Sequence, residues 1–174
     1  MKAIISSLLL ILYSSTAYSA ESIAETTSST IELNANIISY GIYAIIQEGY
    51  SERTNAGVSI TGVNSQQLLM QTDSINAQLE TVIGFEFSLS DSTTSPQELL
   101  TFITTPPKAI LNPNTGKFLH SIVFTRTIEQ ARRNPFLGYR YEQPEECIDG
   151  IWRFQVLYRD KVIAEKQLFV NFDK

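Results

Sequence analysis

Two runs near the end of the chain alternate apolar and polar residues with a period of two, a spacing that a helix cannot bury on one side. In Gly150 to Tyr158 (GIWRFQVLY), Trp152, Phe154, Val156 and Tyr158 alternate with Arg153, Gln155 and, past the run, Arg159. Successive side chains of a strand point to opposite faces, so the first set marks a core and the second a wet face. Beyond Arg159-Asp160-Lys161, the residues Ala164, Lys166, Leu168, Val170 and Phe172 again share one face, with Lys166 the one cation among them. A lysine stem lies on apolar surface while its ammonium reaches water, so the assignment survives it. The two runs predict a β-hairpin. The connecting residues lack the Asn-Gly or Asp-Gly pair of the tightest hairpins, which leaves the turn type open.

The same reasoning applies upstream. Ile83, Phe85, Phe87 and Leu89 alternate with Gly84, Glu86 and Ser88 and predict a half-buried strand. Leu33 and Ala35 share one parity, but beyond Ile38 the apolar set moves to Tyr40, Ile42, Ala44 and Ile46. Such a switch predicts a bulge or a crossing between sheets, with Gly41 as its pivot. The polar stretch from Gln47 to Gly62 reads as a loop, and Thr72 to Glu80 as either one helical turn or an extended link. Leu99 to Thr104 reads as a strand stopped by Pro106-Pro107, and Asn112-Pro113-Asn114-Thr115-Gly116 has turn chemistry throughout. Phe118 to Thr127 then reads as one strand, with Phe118, His120, Ile122 and Phe124 on a shared face. Ile128 to Arg133 fits a short helix or a loop, and Tyr139 to Gln143 a short strand. About seven to nine short strands separated by turn signals describe an all-β, antiparallel β-sandwich.

The first residues have another purpose. Lys2, the apolar run Ala3 to Tyr13 and the small residues of Ala17-Tyr18-Ser19 read as a signal peptide over residues 1–19, with the mature chain starting at Ala20. Residues 20–30 are rich in Ser and Thr and read as a flexible leader, and residues 31–174 as the sandwich domain. No later segment approaches membrane-spanning length, so the expectation is a periplasmic or secreted protein that does not span the membrane after cleavage. The single cysteine, Cys147, cannot form an intramolecular disulfide, and it reads as a small apolar residue rather than a reactive thiol.

Charge divides unevenly along the chain. From Ala20 to Thr105 there is one basic residue, Arg53, against ten acidic ones; from Pro106 onward there are eleven basic against eight acidic. Interleaved strands would cancel these blocks, whereas a topology that kept them apart would assemble a basic face from Arg126, Arg132, Arg133, Arg140 and Arg153. Nucleic acid is not an expected partner of an exported chain with net charge −5.

Glu146-Cys147-Ile148-Asp149-Gly150-Ile151-Trp152-Arg153-Phe154 and the closing strand Ile163 to Val170 resemble a family of exported bacterial proteins known only as a domain of unknown function. Its mark is a Gly-x-Trp-x-Phe hairpin. Tyr40-Gly41-Ile42-Tyr43, Gly84-Phe85-Glu86-Phe87, Leu111-Asn112-Pro113 and Gly138-Tyr139-Arg140-Tyr141 match it in order, so that the resemblance covers most of the mature chain. Asp149 stands where the family often has Pro, and Leu168 where an aromatic is common. The resemblance implies an immunoglobulin-like β-sandwich and no activity, because fold alone does not supply function.

Catalytic chemistry finds no constellation. His120 is the single histidine and reads as a half-buried, hydrogen-bonded residue, since no Gly-x-Ser-x-Gly elbow provides a nucleophile for it. One His and one Cys cannot make a zinc site, and no cofactor is implied. Binding has two pointers. Tyr139 and Tyr141 share parity, and facing outward they would form a platform for sugar rings, although alternation favours the core. Arg140, Arg153 and Arg159 would line a basic surface beside them. The reading is therefore a non-enzymatic module that binds a protein partner in the cell envelope. The alternatives are a carbohydrate-binding module and a hydrolase using unassigned carboxylates. Intact-mass measurement of the exported chain should find an N-terminus at Ala20, and retention of residues 1–19 would refute the cleavage site.

Overall fold

The computed structural model describes residues 33–53, 58–90, 95–112, 115–133 and 135–172, so the expected signal peptide and leader lie outside the described residues. The elements are β1 (Ala35–Arg53), β2 (Ser59–Gln71), β3 (Ser74–Ala77), β4 (Val82–Leu89), β5 (Leu99–Thr105), β6 (Ile110–Asn112), β7 (Lys117–Leu119), β8 (Ile122–Thr127), α1 (Ile128–Arg133), β9 (Phe136–Arg140), β10 (Gly150–Tyr158) and β11 (Lys161–Phe172). Two sheets form the sandwich, one ordered β2-β1-β4-β9 and the other β3-β11-β10-β5-β8, and β6-β7 is a separate small hairpin. All pairs are antiparallel except β11 with β3, which is parallel.

The predicted hairpin is β10-β11, with Trp152 opposite Leu168 and Phe154 opposite Lys166. Arg159 (φ 48°) and Asp160 (φ 63°) both take positive φ, the signature of a two-residue type I′ turn reached without glycine. Trp152, Phe154, Val156 and Tyr158 are all buried. Lys166 lies on the same side, and its ammonium pairs with Asp73 and sits 3.4 Å from the centroid of the Tyr40 ring. Facing the hairpin across the core are Phe85 and Phe87 of β4, and Phe87 meets Phe102 of β5 with ring centroids 6.2 Å apart.

Four expectations change. The stretch from Gln47 to Gly62 is mostly not a loop, because β1 runs to Arg53 and β2 starts at Ser59, making a long ribbon. The parity switch in β1 is a bulge at Ile38, where the register with β4 slips between Ile37 and Ser39. Gly41 is instead a point of close approach: a Cβ there would stand 2.1 Å from the Met70 carbonyl oxygen of β2. Phe118 to Thr127 breaks at His120-Ser121 into β7 and β8, which leaves His120 exposed rather than half-buried. The short strand expected over Tyr139 to Gln143 lies earlier, at Phe136–Arg140. Ile128–Arg133 is a helix whose entry is fixed by a reciprocal cap, in which the Thr127 hydroxyl accepts from the Gln130 N–H and the Gln130 side chain accepts from the Thr127 N–H.

The outer face of the first sheet is built around glycine. Gly41, Gly84 and Gly138 stand side by side on β1, β4 and β9. The Phe136 ring lies against Gly138, and Tyr43 meets Phe136 edge-on at 4.9 Å. A Cβ on Gly84 would come 2.3 Å from the Leu137 carbonyl oxygen and 2.6 Å from Gly138 Cα. Both obstacles are backbone, so the sheet itself must move. Gly84→Ala should therefore lower stability by about 1–3 kcal/mol, the range of forced overpacking, measured as a fall in the urea midpoint, and an unchanged midpoint would contradict the close packing of β4 on β9.

Candidate functional site

β9 decides which way the nominated tyrosines point. Ile83 stands opposite Tyr139 and Phe85 opposite Leu137, so odd-numbered residues of this strand share the inner face with the core of β4. Tyr141 is fully buried, and Tyr139 is half-buried with its ring 4.8 Å from that of Trp152. Tyr141 packs edge-on against Trp152 at 5.1 Å and against Phe172 at 4.8 Å. The outward platform is therefore not formed, because both rings join the two sheets. Burial first and Glu146 second hold the Tyr139 hydroxyl far above the ordinary tyrosine range. Among the described residues, the buried Tyr141 hydroxyl has no hydrogen-bond partner.

The basic cluster is not assembled either. Arg140 belongs to the first sheet and pairs with Glu48 at 2.7 Å. Arg153 belongs to the second and faces Glu165 at 3.8 Å. Arg159 holds Glu98 at 3.0 Å, and the same carboxylate oxygen accepts from the Tyr158 hydroxyl at 2.6 Å. Three of these cations thus have their own acid, and each of Arg140, Arg159 and Lys166 reaches back to an acid of the first half of the chain. Cys147 is half-buried, with its thiol pushed up by burial first and then by Glu146 and Glu145.

The structure brings together a different set. A cavity of about 280 Å³ opens along one side of the sandwich. Its walls are β9, the β6-β7 hairpin, the core face of β8 and the far part of the β1-β2 ribbon. The walls are mostly apolar, with Ile110, Leu119, Ile122 and Phe136 among them, and the polar residues Thr104 and Asn112 are buried at its side. At the lip, Leu111 of β6 stands opposite Phe118 of β7, which is 66% exposed. The ion pair Arg140–Glu48 ties the ribbon to β9 beside the opening.

One wall carries free backbone. The Pro135 carbonyl accepts from the Phe87 N–H at 2.9 Å, and the Tyr141 N–H donates to the Thr81 carbonyl at 3.2 Å. Antiparallel ladders use alternate residues, so the N–H and C=O groups of Phe136, Gly138 and Arg140 point away from β4. β9 ends its sheet, and among the described residues no strand pairs with that side.

Arg126 shares this cavity and was visible in the sequence only as one of several arginines. It stands opposite Leu100, on the core face of β8. Its guanidinium lies 5.1 Å from the Phe124 ring centroid and 5.8 Å from that of Phe102. The β6-β7 wall did have a signal, since Ile110-Leu111 and Phe118-Leu119 flank the turn at Asn112 to Gly116. Among the described residues, no group of three or more His, Cys, Asp or Glu side chains is placed to hold a metal ion.

Comparison with known proteins bears on fold and family. The model of a family described as a domain of unknown function (DUF3859) matches residues 32–170. No curated protein matches the chain. A solved immunoglobulin-like protein from Pseudomonas aeruginosa aligns with a TM-score of 0.58 at 20% identity, over 82% of this chain and 99% of its own. At that identity the likeness establishes an immunoglobulin-like sandwich and carries nothing about activity.

The Glu98 site has a pH signature. Hydrogen bonding from Tyr158 first, and from Arg159 after an opposing contribution from burial, holds the Glu98 carboxyl below the ordinary value of 4.5. A carboxylate depressed in the folded state stabilises it above the unfolded value, and that contribution is lost as pH falls through the folded value. Below pH 4.5 the chain should therefore lose stability more steeply than Glu98→Gln does, in urea titrations at several pH values. Parallel pH profiles would refute the coupling. Glu165, held low by Gln167 and then Gln155, supplies an acid-sensitive background in both proteins.

Proposed function

We propose that this chain, which belongs to the DUF3859 family of domains of unknown function, is a non-enzymatic binding module of the cell envelope, exported to the periplasm or beyond. Its partner is a protein, and the seat is the cleft along β9. The observation that carries the reading is the combination of free backbone groups on β9 with the apolar cavity beside them. A strand end with unpaired N–H and C=O groups takes up an extended segment by adding it to the sheet, while alternate side chains of that segment fill adjoining pockets. The occupant is therefore an extended, strand-forming segment with apolar side chains. The signal-peptide pattern of residues 1–19 supports export. Among the described residues no helix is long and apolar enough to cross a membrane.

A photo-reactive amino acid placed at Leu111, on the lip, should cross-link a reproducible protein partner in envelope preparations. The same probe at Val162, which is exposed on β11 away from the cleft walls, serves as the comparison. Equal capture at both positions, or no capture at Leu111, would overturn the docking site.

A further inference from the structure

We propose that Arg126 is the anchor of a carboxylate-binding subsite in the cleft, where it takes an acidic group of the docked segment. The inference rests on the reading of the cleft as a docking site and adds the chemistry of what enters it.

Position comes first. Ile122, Phe124 and Arg126 share the core face of β8, opposite Thr104, Phe102 and Leu100, all three of which are buried. A cation is out of place in that row. Phe102 and Phe124 stack at 5.0 Å with 7° between their planes, and the guanidinium lies over both rings. Such stacking fixes the direction of an arginine and suits it for planar recognition of a carboxylate. Arg126 lines the cavity and also a second hollow formed with Glu52, Gly62 and Gln130.

Charge comes second. Arg133, Arg140, Arg153 and Arg159 each have a carboxylate within ion-pair distance. Among the described residues Arg126 has none. Glu52 is the acid whose field it feels, and burial outweighs that field and pushes the guanidinium below the ordinary arginine value. An inward-facing charge on an edge strand also guards against pairing with other sheets. That role needs only the charge, whereas this guanidinium is in addition held against two rings, partly buried, in a cavity that also has Glu48, Glu142 and Glu146 on its walls. Removing a cation from water without a counter-charge is unfavourable, and an incoming carboxylate relieves the deficit with charge-assisted hydrogen bonds.

The probe is octanoate, with octanamide as its uncharged counterpart, titrated into isotope-labelled protein in its exported form and followed by NMR. Octanoate should shift the Arg126 Nε–Hε resonance and the Leu119 and Ile122 methyls saturably, while octanamide leaves the Arg126 resonance unmoved. Arg126→Met should weaken octanoate binding about tenfold or more, the scale of one lost charge-assisted contact, and Arg126→Lys should restore part of it. Equal effects of the two probes, or no movement of Arg126, overturn the subsite, and the unmutated protein alone decides this should a variant fail to fold. Octanoate binding through Arg126 without any partner cross-linked at Leu111 would leave the subsite and remove protein docking. A partner captured equally by the parent and Arg126→Met, with Arg126 silent to octanoate, would do the reverse.

Discussion

The two sheets of this protein have no covalent link, since its one cysteine has no intramolecular partner, and the burden falls on an aromatic joint centred on Trp152. The indole of Trp152 is fully buried in the second sheet, where its Nε1–H donates to the Ile148 carbonyl at 3.1 Å. Tyr139 and Tyr141, from β9 and the residue beyond it, close on it from the first sheet, and Phe172 packs on the far side of Tyr141. Buried aromatic rings supply the largest apolar areas of any side chain, and edge-to-face contacts add to the area they remove from water. The joint spends both tyrosines on cohesion. It also fixes β9 by its inner face and by its ladder to β4, which is why the other edge of β9 can stay open without the strand being loose.

Much of this was legible because alternation reports burial directly. Trp152, Phe154, Val156 and Tyr158 had to share a face, and whichever face held a tryptophan and a phenylalanine was the core. Tyr139 and Tyr141 show the limit of that argument. Their common parity was readable, but the strand also has an aromatic of opposite parity, Phe136, which is buried on the outer face over the glycine row. With aromatics on both faces, pairing with β4 decides the direction, and pairing is not a local property. The β1-β2 ribbon was hidden for a related reason: beyond the sheet its residues are wet on much of their surface, so no apolar period marks them as strand. Its hydrogen bonds form all the same, between segments both too polar to be recognised.

The cleft was illegible for a further reason. Its walls join the β1-β2 ribbon to a distant run of short elements, β6 to β9, and how these fold around one space is not a local property of any of them. Arg126 was one of six arginines in a basic second half. What separates it is context: Arg140, Arg159 and Lys166 reach the first-half acids Glu48, Glu98 and Asp73, while Arg133 and Arg153 pair within the second half with Glu129 and Glu165. The uneven charge along the sequence is thus cancelled in space. Exposed pairs of this kind contribute little to stability individually, about 0–1 kcal/mol, so their main effect is to remove the basic face that the sequence alone allowed.

The four edges of the sandwich explain why binding would concentrate at β9. A strand edge invites pairing with other sheets, and proteins blunt such edges by shortening, bulging, charging or covering them. β3 is only four residues long. β2 meets β1 through repeated register shifts, which bend it away from the flat form that a second sheet could match. β8 carries Arg126 on its inner side. β9, five residues long, pairs with β4 without a bulge and its one charge, Arg140, is matched by Glu48, so its protection is cover: the ribbon and the β6-β7 hairpin wall it in. Such walls deny another sheet its broad flat approach, and the occupant proposed for the cleft is accordingly a single extended chain. The edge left chemically open is therefore the one guarded by geometry, and on the proposed docking role that geometry would favour one peptide segment over another whole domain.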